Sequence, residues 1–131
     1  MKLKQIPAGI NRRMEAPTIS VYPYNRKLFF NAPSVKLLSL NAGECISLFQ
    51  DEDSPKDWYF HKTSPEGRTA GSVRLNAMAG REALLVYHGA AAQAILRSIG
   101  SYETTTFYIA NEQVQIDEKA YWKILTDKIV K

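Results

Sequence analysis

Among 131 residues the chain has one cysteine, Cys45. A lone thiol cannot close an internal disulfide, so the fold does not depend on an oxidising compartment. Histidine is almost as scarce, with only His61 and His88. Zinc asks for several His, Cys or carboxylate ligands at set spacings. The nearest grouping is Asp51, Glu52, Asp53 and Asp57 ahead of His61. It lacks EF-hand spacing and reads as a solvated hairpin loop. There is no Gly-x-Ser-x-Gly, phosphate loop, dinucleotide fingerprint or His-Glu-x-x-His. Cys45 begins an apolar run, where a free cysteine packs as a small hydrophobe rather than serving as a nucleophile. The expectation is no catalytic residue, no metal and no cofactor. Long apolar runs are missing too. The first ten residues carry Lys2 and Lys4 and no signal-peptide core, and no stretch reaches membrane-spanning length. No membrane partner is expected, and the expected location is the cytoplasm.

What is present is an ordinary globular composition, 45% hydrophobic and 23% charged, in a length that fits one domain. The net charge is +4 and the isoelectric point about 9.2. That balance is compatible with a polyanionic partner, because phosphate binding relies on Lys and Arg.

Residues 1–17 form a basic arm punctuated by Pro7, Gly9 and Pro17 and containing Arg12 and Arg13. The rest, 18–131, reads as a single domain. Thr18 to Tyr22 alternates and is β-branched, which predicts a strand. Pro23-Tyr24-Asn25 predicts a turn, with Asn25 taking the left-handed conformation. A strand over Lys27 to Phe30 follows. Asn31 is placed to cap a short helix at about 32–38, with Pro33 in its first turn and Phe30 and Val35 at the staple positions. Gly43 is expected to end that helix through a positive φ. Strands over 45–50 and 57–61 flank the acidic loop, and 63–71 has linker composition.

A similar order then recurs. A strand at 72–75 is followed by a turn at 76–81 and a strand at 83–87. Gly89 opens an Ala-rich helix at 90–99, ended by Gly100 with Arg97 in its last turn. A strand at 104–109, a turn at Asn111-Glu112, and strands at 114–116 and 120–125 complete it. The expected landmark pairs are Phe29-Phe30 with Val86-Tyr87, Gly43 with Gly100, Phe49 with Tyr108, and Trp58 with Trp122. The fold class expected is mainly β: two tandem β-α-β-β-like segments, 18–62 and 72–125, forming one pseudo-twofold barrel with two short helices.

The run Asn25-Arg26-Lys27-Leu28-Phe29-Phe30, a short helix, and Leu38-Ser39-Leu40-Asn41-Ala42-Gly43-Glu44 resembles the AbrB/MazE family of swapped-hairpin β-barrels. Leu38, Leu40 and Gly43 match the family's turn, Glu44 stands where Asp is usual, and Ser39 replaces a glycine. The match covers about residues 18–62. In the second segment Gly100-Ser101 stands where Gly-Asp is expected, and the first turn has only Arg81. The resemblance implies a barrel made from two copies of the motif, here within one chain. It also implies a DNA-binding regulator with Arg26 and Lys27 on double-stranded DNA, and the arm adds Arg12 and Arg13 as phosphate contacts. Tyr22 and Tyr24, beside those cations, make a further candidate contact surface. The rival expectation is a protein–protein or structural module, a homodimer or partner-binding barrel that has lost DNA binding. An enzyme using Cys45 or the acidic loop is the third reading.

Overall fold

The computed structural model describes residues 1–5 and 16–130. Its elements are β1 (Thr18–Tyr22), β2 (Lys27–Phe30), α1 (Ala32–Leu37), β3 (Cys45–Gln50), β4 (Trp58–Thr63), β5 (Val73–Arg74), β6 (Asn76–Ala77), β7 (Leu84–Tyr87), α2 (Gly89–Ser98), β8 (Thr105–Ile116) and β9 (Lys119–Ile129). A single 3₁₀ turn, Pro65–Gly67, lies in the exposed connection between β4 and β5.

All strands belong to one antiparallel sheet in the order β5-β3-β4-β9-β8-β1-β2-β7-β6. The two edges, β5 and β6, are separated in the chain by Leu75 alone. One residue spans at most about 3.6 Å, so the edges must meet and the sheet curls into a nearly closed barrel. Leu75 is buried at that junction, where its N–H donates to the Glu44 carbonyl at 2.8 Å and its carbonyl accepts from Gly43 N at 2.9 Å. The expectation from sequence is one strand at 72–75 and a turn at 76–81. Instead the stretch 73–77 changes partner midway, from β3 to β7. Around the barrel the hairpins alternate: β1–β2, then β7–β6, then β3–β4, then β9–β8.

Side chains alternate across the sheet with period two. Ile19, Val21, Leu28, Phe30, Ile46, Phe60, Val86, Phe107 and Ile124 all point into the core. Phe30 and Phe60 meet with ring centroids 5.4 Å apart. The helix α2 closes one side by inserting Ala92, Ile95 and Leu96. Trp58 anchors its far end, donating from Nε1 to Ser98 Oγ at 3.0 Å. Of the aromatic strand residues, Phe30, Trp58, Phe60, Phe107 and Trp122 are buried in this core.

Both helices begin and end in the same way. Asn31 Oδ1 accepts from Ser34 N at 3.0 Å, and His88 Nδ1 accepts from Ala91 N at 3.4 Å. At the other end α1 closes with Leu40 N donating to Val35 O and Ser39 N to Lys36 O, while α2 closes with Ser101 N to Leu96 O and Gly100 N to Arg97 O. These are Schellman closures, which need a left-handed residue just past the cap. In α2 that residue is Gly100, at φ +71°. In α1 it is Ser39, at φ +51°, and not Gly43, whose φ of +92° serves the turn before β3. The residue that closes α1 as Gly100 closes α2 is therefore Ser39. Glycine is the usual residue at such a position, which is why the sequence points to Gly43; Ser39 bears the steric cost of a Cβ instead.

The end of the sheet also differs from expectation. Asn111-Glu112 is not a turn: β8 runs through it to Ile116, and residues 110–112 bulge opposite Lys123 alone. The chain reverses at Asp117-Glu118, both with positive φ, +50° and +68°. Two successive left-handed residues are what a two-residue hairpin of matching twist demands, but they are Asp-Glu and not the Asn-Gly or Asp-Gly that would announce it. The outcome is a projecting hairpin arm, exposed from Asn111 to Lys119.

Candidate functional site

The β1–β2 turn sits at the start of α2. Tyr22 and Lys27 are register partners at the base of the turn. Arg26, and not Asn25, holds the left-handed backbone, at φ +53°. Two contacts fix it there. Its carbonyl accepts from His88 N at 3.0 Å, and its side-chain stem lies across Gly89. A Cβ on Gly89 would come within 2.9 Å of Arg26 Cδ. Glycine at that position thus lets the arginine stem lie on the helix. Lys27 Nζ stands 4.9 Å from the centre of the Tyr22 ring, a cation–π pair. The salt bridges among the described residues are Lys36–Glu82, Lys62–Glu44 and Lys123–Asp57, none involving Arg26, Lys27 or Arg97.

Beside this turn is a groove of about 330 Å³, with walls from Tyr24, Pro23, Tyr102, Arg97 and Gln93 and a floor at buried Leu96. Tyr24 and Tyr102 are 85% and 76% exposed. Tyr24 is a contact residue expected from the sequence, and the turn composition carries that signal. For Arg97 the sequence suggests only a cation suited to the helix dipole. Tyr102 carried no signal: it lies far along the chain and reaches the groove through the closure of α2. Arg12 and Arg13 lie outside the described residues.

His88 links the turn to the helix. Burial lowers its pKa from the usual 6.5. Its cap role works in the same direction, because Nδ1 can accept from Ala91 N only when it carries no proton.

On the outer face of β3, β4 and β9 a second groove, of about 600 Å³, is lined by Ser47, Phe49, His61, Lys119 and Tyr121. His61 stacks on Phe49 at 5.2 Å and meets the Tyr121 ring edge at 5.0 Å. It therefore does not join the carboxylates of the 51–57 loop. Asp51 there accepts from Asp53 N at 2.9 Å, and Asp57 pairs with Lys123 at 3.6 Å. Among the described residues no three His, Cys, Asp or Glu side chains gather as a metal site would need. Cys45 is buried at the start of β3. Among the described residues no helix is long and apolar enough to cross a membrane.

No protein-family model, curated protein or solved structure matches the chain.

Proposed function

We propose that this chain is a non-enzymatic DNA-binding protein, of the AbrB/MazE kind, with both copies of the swapped-hairpin motif in one polypeptide. The observation that carries the DNA reading is the β1–β2 turn. Arg26 is held against α2 by Gly89 and the His88 N–H, next to Lys27 and with no carboxylate paired to either among the described residues. Cations held in place with no acidic partner are suited to phosphate, and ordering them before binding lowers the entropy lost on contact.

Three features support the duplicated barrel. The alternating hairpin order maps onto itself when β1, β2, β3 and β4 are exchanged for β5–β6, β7, β8 and β9. The pairing of β4 with β9 sets Trp58 opposite Ile124 and Phe60 opposite Trp122, which is symmetric if Trp58 corresponds to Trp122 and Phe60 to Ile124. Ser39, where the family carries glycine, has a φ that glycine favours.

The test is a duplex titration followed by fluorescence anisotropy across salt. Affinity should fall steeply between about 50 and 200 mM salt, and Arg26→Ala should reduce the slope of log affinity on log salt by about one. No binding of either duplex or single-stranded DNA at low salt would sink the reading. The rival, a protein–protein or structural module, draws support from the exposed β8–β9 arm, which carries Val114 and Ile116 at 41% exposure each. That reading gains if the protein self-associates in light scattering and ignores DNA.

A further inference from the structure

We infer that the groove beside the β1–β2 turn takes an unpaired nucleobase, so that the preferred ligand is DNA with single-stranded character rather than closed duplex. This rests on the DNA-binding reading and refines it. Tyr24 and Tyr102 contribute to the groove's walls, both largely exposed, and among the described residues no other ring stacks on either. Tyr24 follows Pro23 in a turn pinned by His88, and Tyr102 follows the hydrogen-bonded closure of α2, so neighbouring backbone holds both. The floor at Leu96 is apolar, Gln93 offers an amide that can both donate and accept, and Arg97 adds a cation.

These are the components of a single-strand site: aromatic faces for the base, an amide for its edge and a cation for the phosphate. In closed duplex the base faces are already stacked on one another and offer nothing to a tyrosine. No carboxylate lines the groove; Glu103, next to Tyr102, is not among its walls. Arg26 and Lys27 lie on the same turn as Tyr24, so a strand whose base entered the groove would pass close to both. A proline-rich peptide is the other ligand that a tyrosine-walled groove takes, but the cations favour the nucleic acid.

The experiment compares a labelled oligothymidylate with a blunt duplex of equal length, at about 50 mM salt where phosphate contacts are strong. Proteins are wild type, Tyr24→Ala, Tyr102→Ala, Tyr24→Phe and Arg26→Ala. Both tyrosines are exposed, so the variants should fold, which circular dichroism checks. The inference expects tighter binding to the single strand and a loss of about tenfold on it for each Tyr→Ala change. Tyr24→Phe should retain that binding, and duplex binding should not respond to the tyrosines. Arg26→Ala should weaken both DNAs. If wild type binds duplex as well as single strand, or the Tyr→Ala changes leave single-strand affinity intact, the base-binding inference is overturned while DNA binding stands. If neither DNA binds, both readings fall, and binding of a polyproline peptide through the tyrosines would then assign the groove to that ligand.

Discussion

Removing the Asn31 side chain tests how β1 is tied to α1. Asn31 Oδ1 accepts from Ser34 N and Thr18 N, each at 3.0 Å, and its Nδ2 donates to the Ala16 carbonyl at 3.0 Å. The Ser34 hydroxyl sits among the same groups, accepting from Thr18 N at 3.0 Å and donating to Thr18 O at 2.7 Å. It has one proton, so its contact with Asn31 Oδ1 adds no independent bond. In Asn31→Ala the cap is lost, at about 1 kcal/mol, and the bond to Ala16 is lost, at about 1 kcal/mol. Thr18 N keeps Ser34 as its acceptor, and the site is only half-buried, so no large desolvation penalty is added. The expected destabilisation is about 2 kcal/mol, which moves a urea midpoint by about 1 M for a chain of this size. Asn31→Asp keeps both acceptor roles and gains up to about 1 kcal/mol from the helix dipole, set against the lost Ala16 bond and a carboxylate oxygen that now faces the Ala16 carbonyl. It should stay within about 1 kcal/mol of wild type. Equal losses in the two variants, or a loss under about 0.5 kcal/mol in the alanine variant, would show that the cap does not tie the strand to the helix.

Ser39→Gly should stabilise by about 0.5–1 kcal/mol: a Cβ in the left-handed region costs about 1–2 kcal/mol, and the added freedom of the unfolded chain returns part of it. A lower thermal midpoint would contradict this, since the bonds at Ser39 use only its backbone: its N–H donates to Lys36 O at 3.3 Å, and its carbonyl accepts from Lys62 Nζ at 2.7 Å and Asn41 Nδ2 at 3.3 Å. Gly89→Ala sets a gain in helix propensity of up to about 1 kcal/mol against displacement of Arg26. Stability should change little, while duplex affinity falls toward that of Arg26→Ala; unchanged affinity would mean that the stem's position does not matter. The lowered pKa of His88 gives a pH dependence. Unfolded His88 binds its proton near 6.5 and the folded form binds it less readily, so the contribution is full above pH 6.5 and is lost as pH falls through the folded value. Urea midpoints at about pH 7.5 and about pH 5 should differ less in His88→Asn, which keeps a cap without titrating. An undiminished pH dependence in that variant would assign the effect elsewhere.

Much of the fold was legible because its signals are local. Alternation in β1, the short apolar runs of β2 and β7 and the cap at Asn31 depend on a few adjacent residues, and these elements stand within a residue or so of their expected places. Errors arose where the expected residue type was absent. The α1 closure uses serine and the β8–β9 reversal uses Asp-Glu, while Gly43 and Asn111 offered more conventional signals nearby. The change of partner at Leu75 cannot be read locally, because it depends on strands that are distant in sequence. The site divides in the same way. Arg26, Lys27, Tyr22 and Tyr24 sit within one short turn and were found together. Arg97, Gln93 and Tyr102 reach that turn only through the packing of α2 on the barrel.

The alternation of hairpins around the barrel has a consequence for cutting the chain. Each hairpin of the first half is flanked on both sides by hairpins of the second, through the pairs β1–β8, β2–β7, β3–β5 and β4–β9. Neither half contains a contiguous sheet of more than two strands, and isolated two-stranded hairpins are at best marginally stable in water. A protease nick in the exposed 64–71 connection would leave all of these pairings in place, and the nicked molecule should migrate as one particle. Separated by denaturant, each fragment would lack the neighbours of both its hairpins. Mixing the two should restore the barrel by complementation, at a rate that depends on fragment concentration.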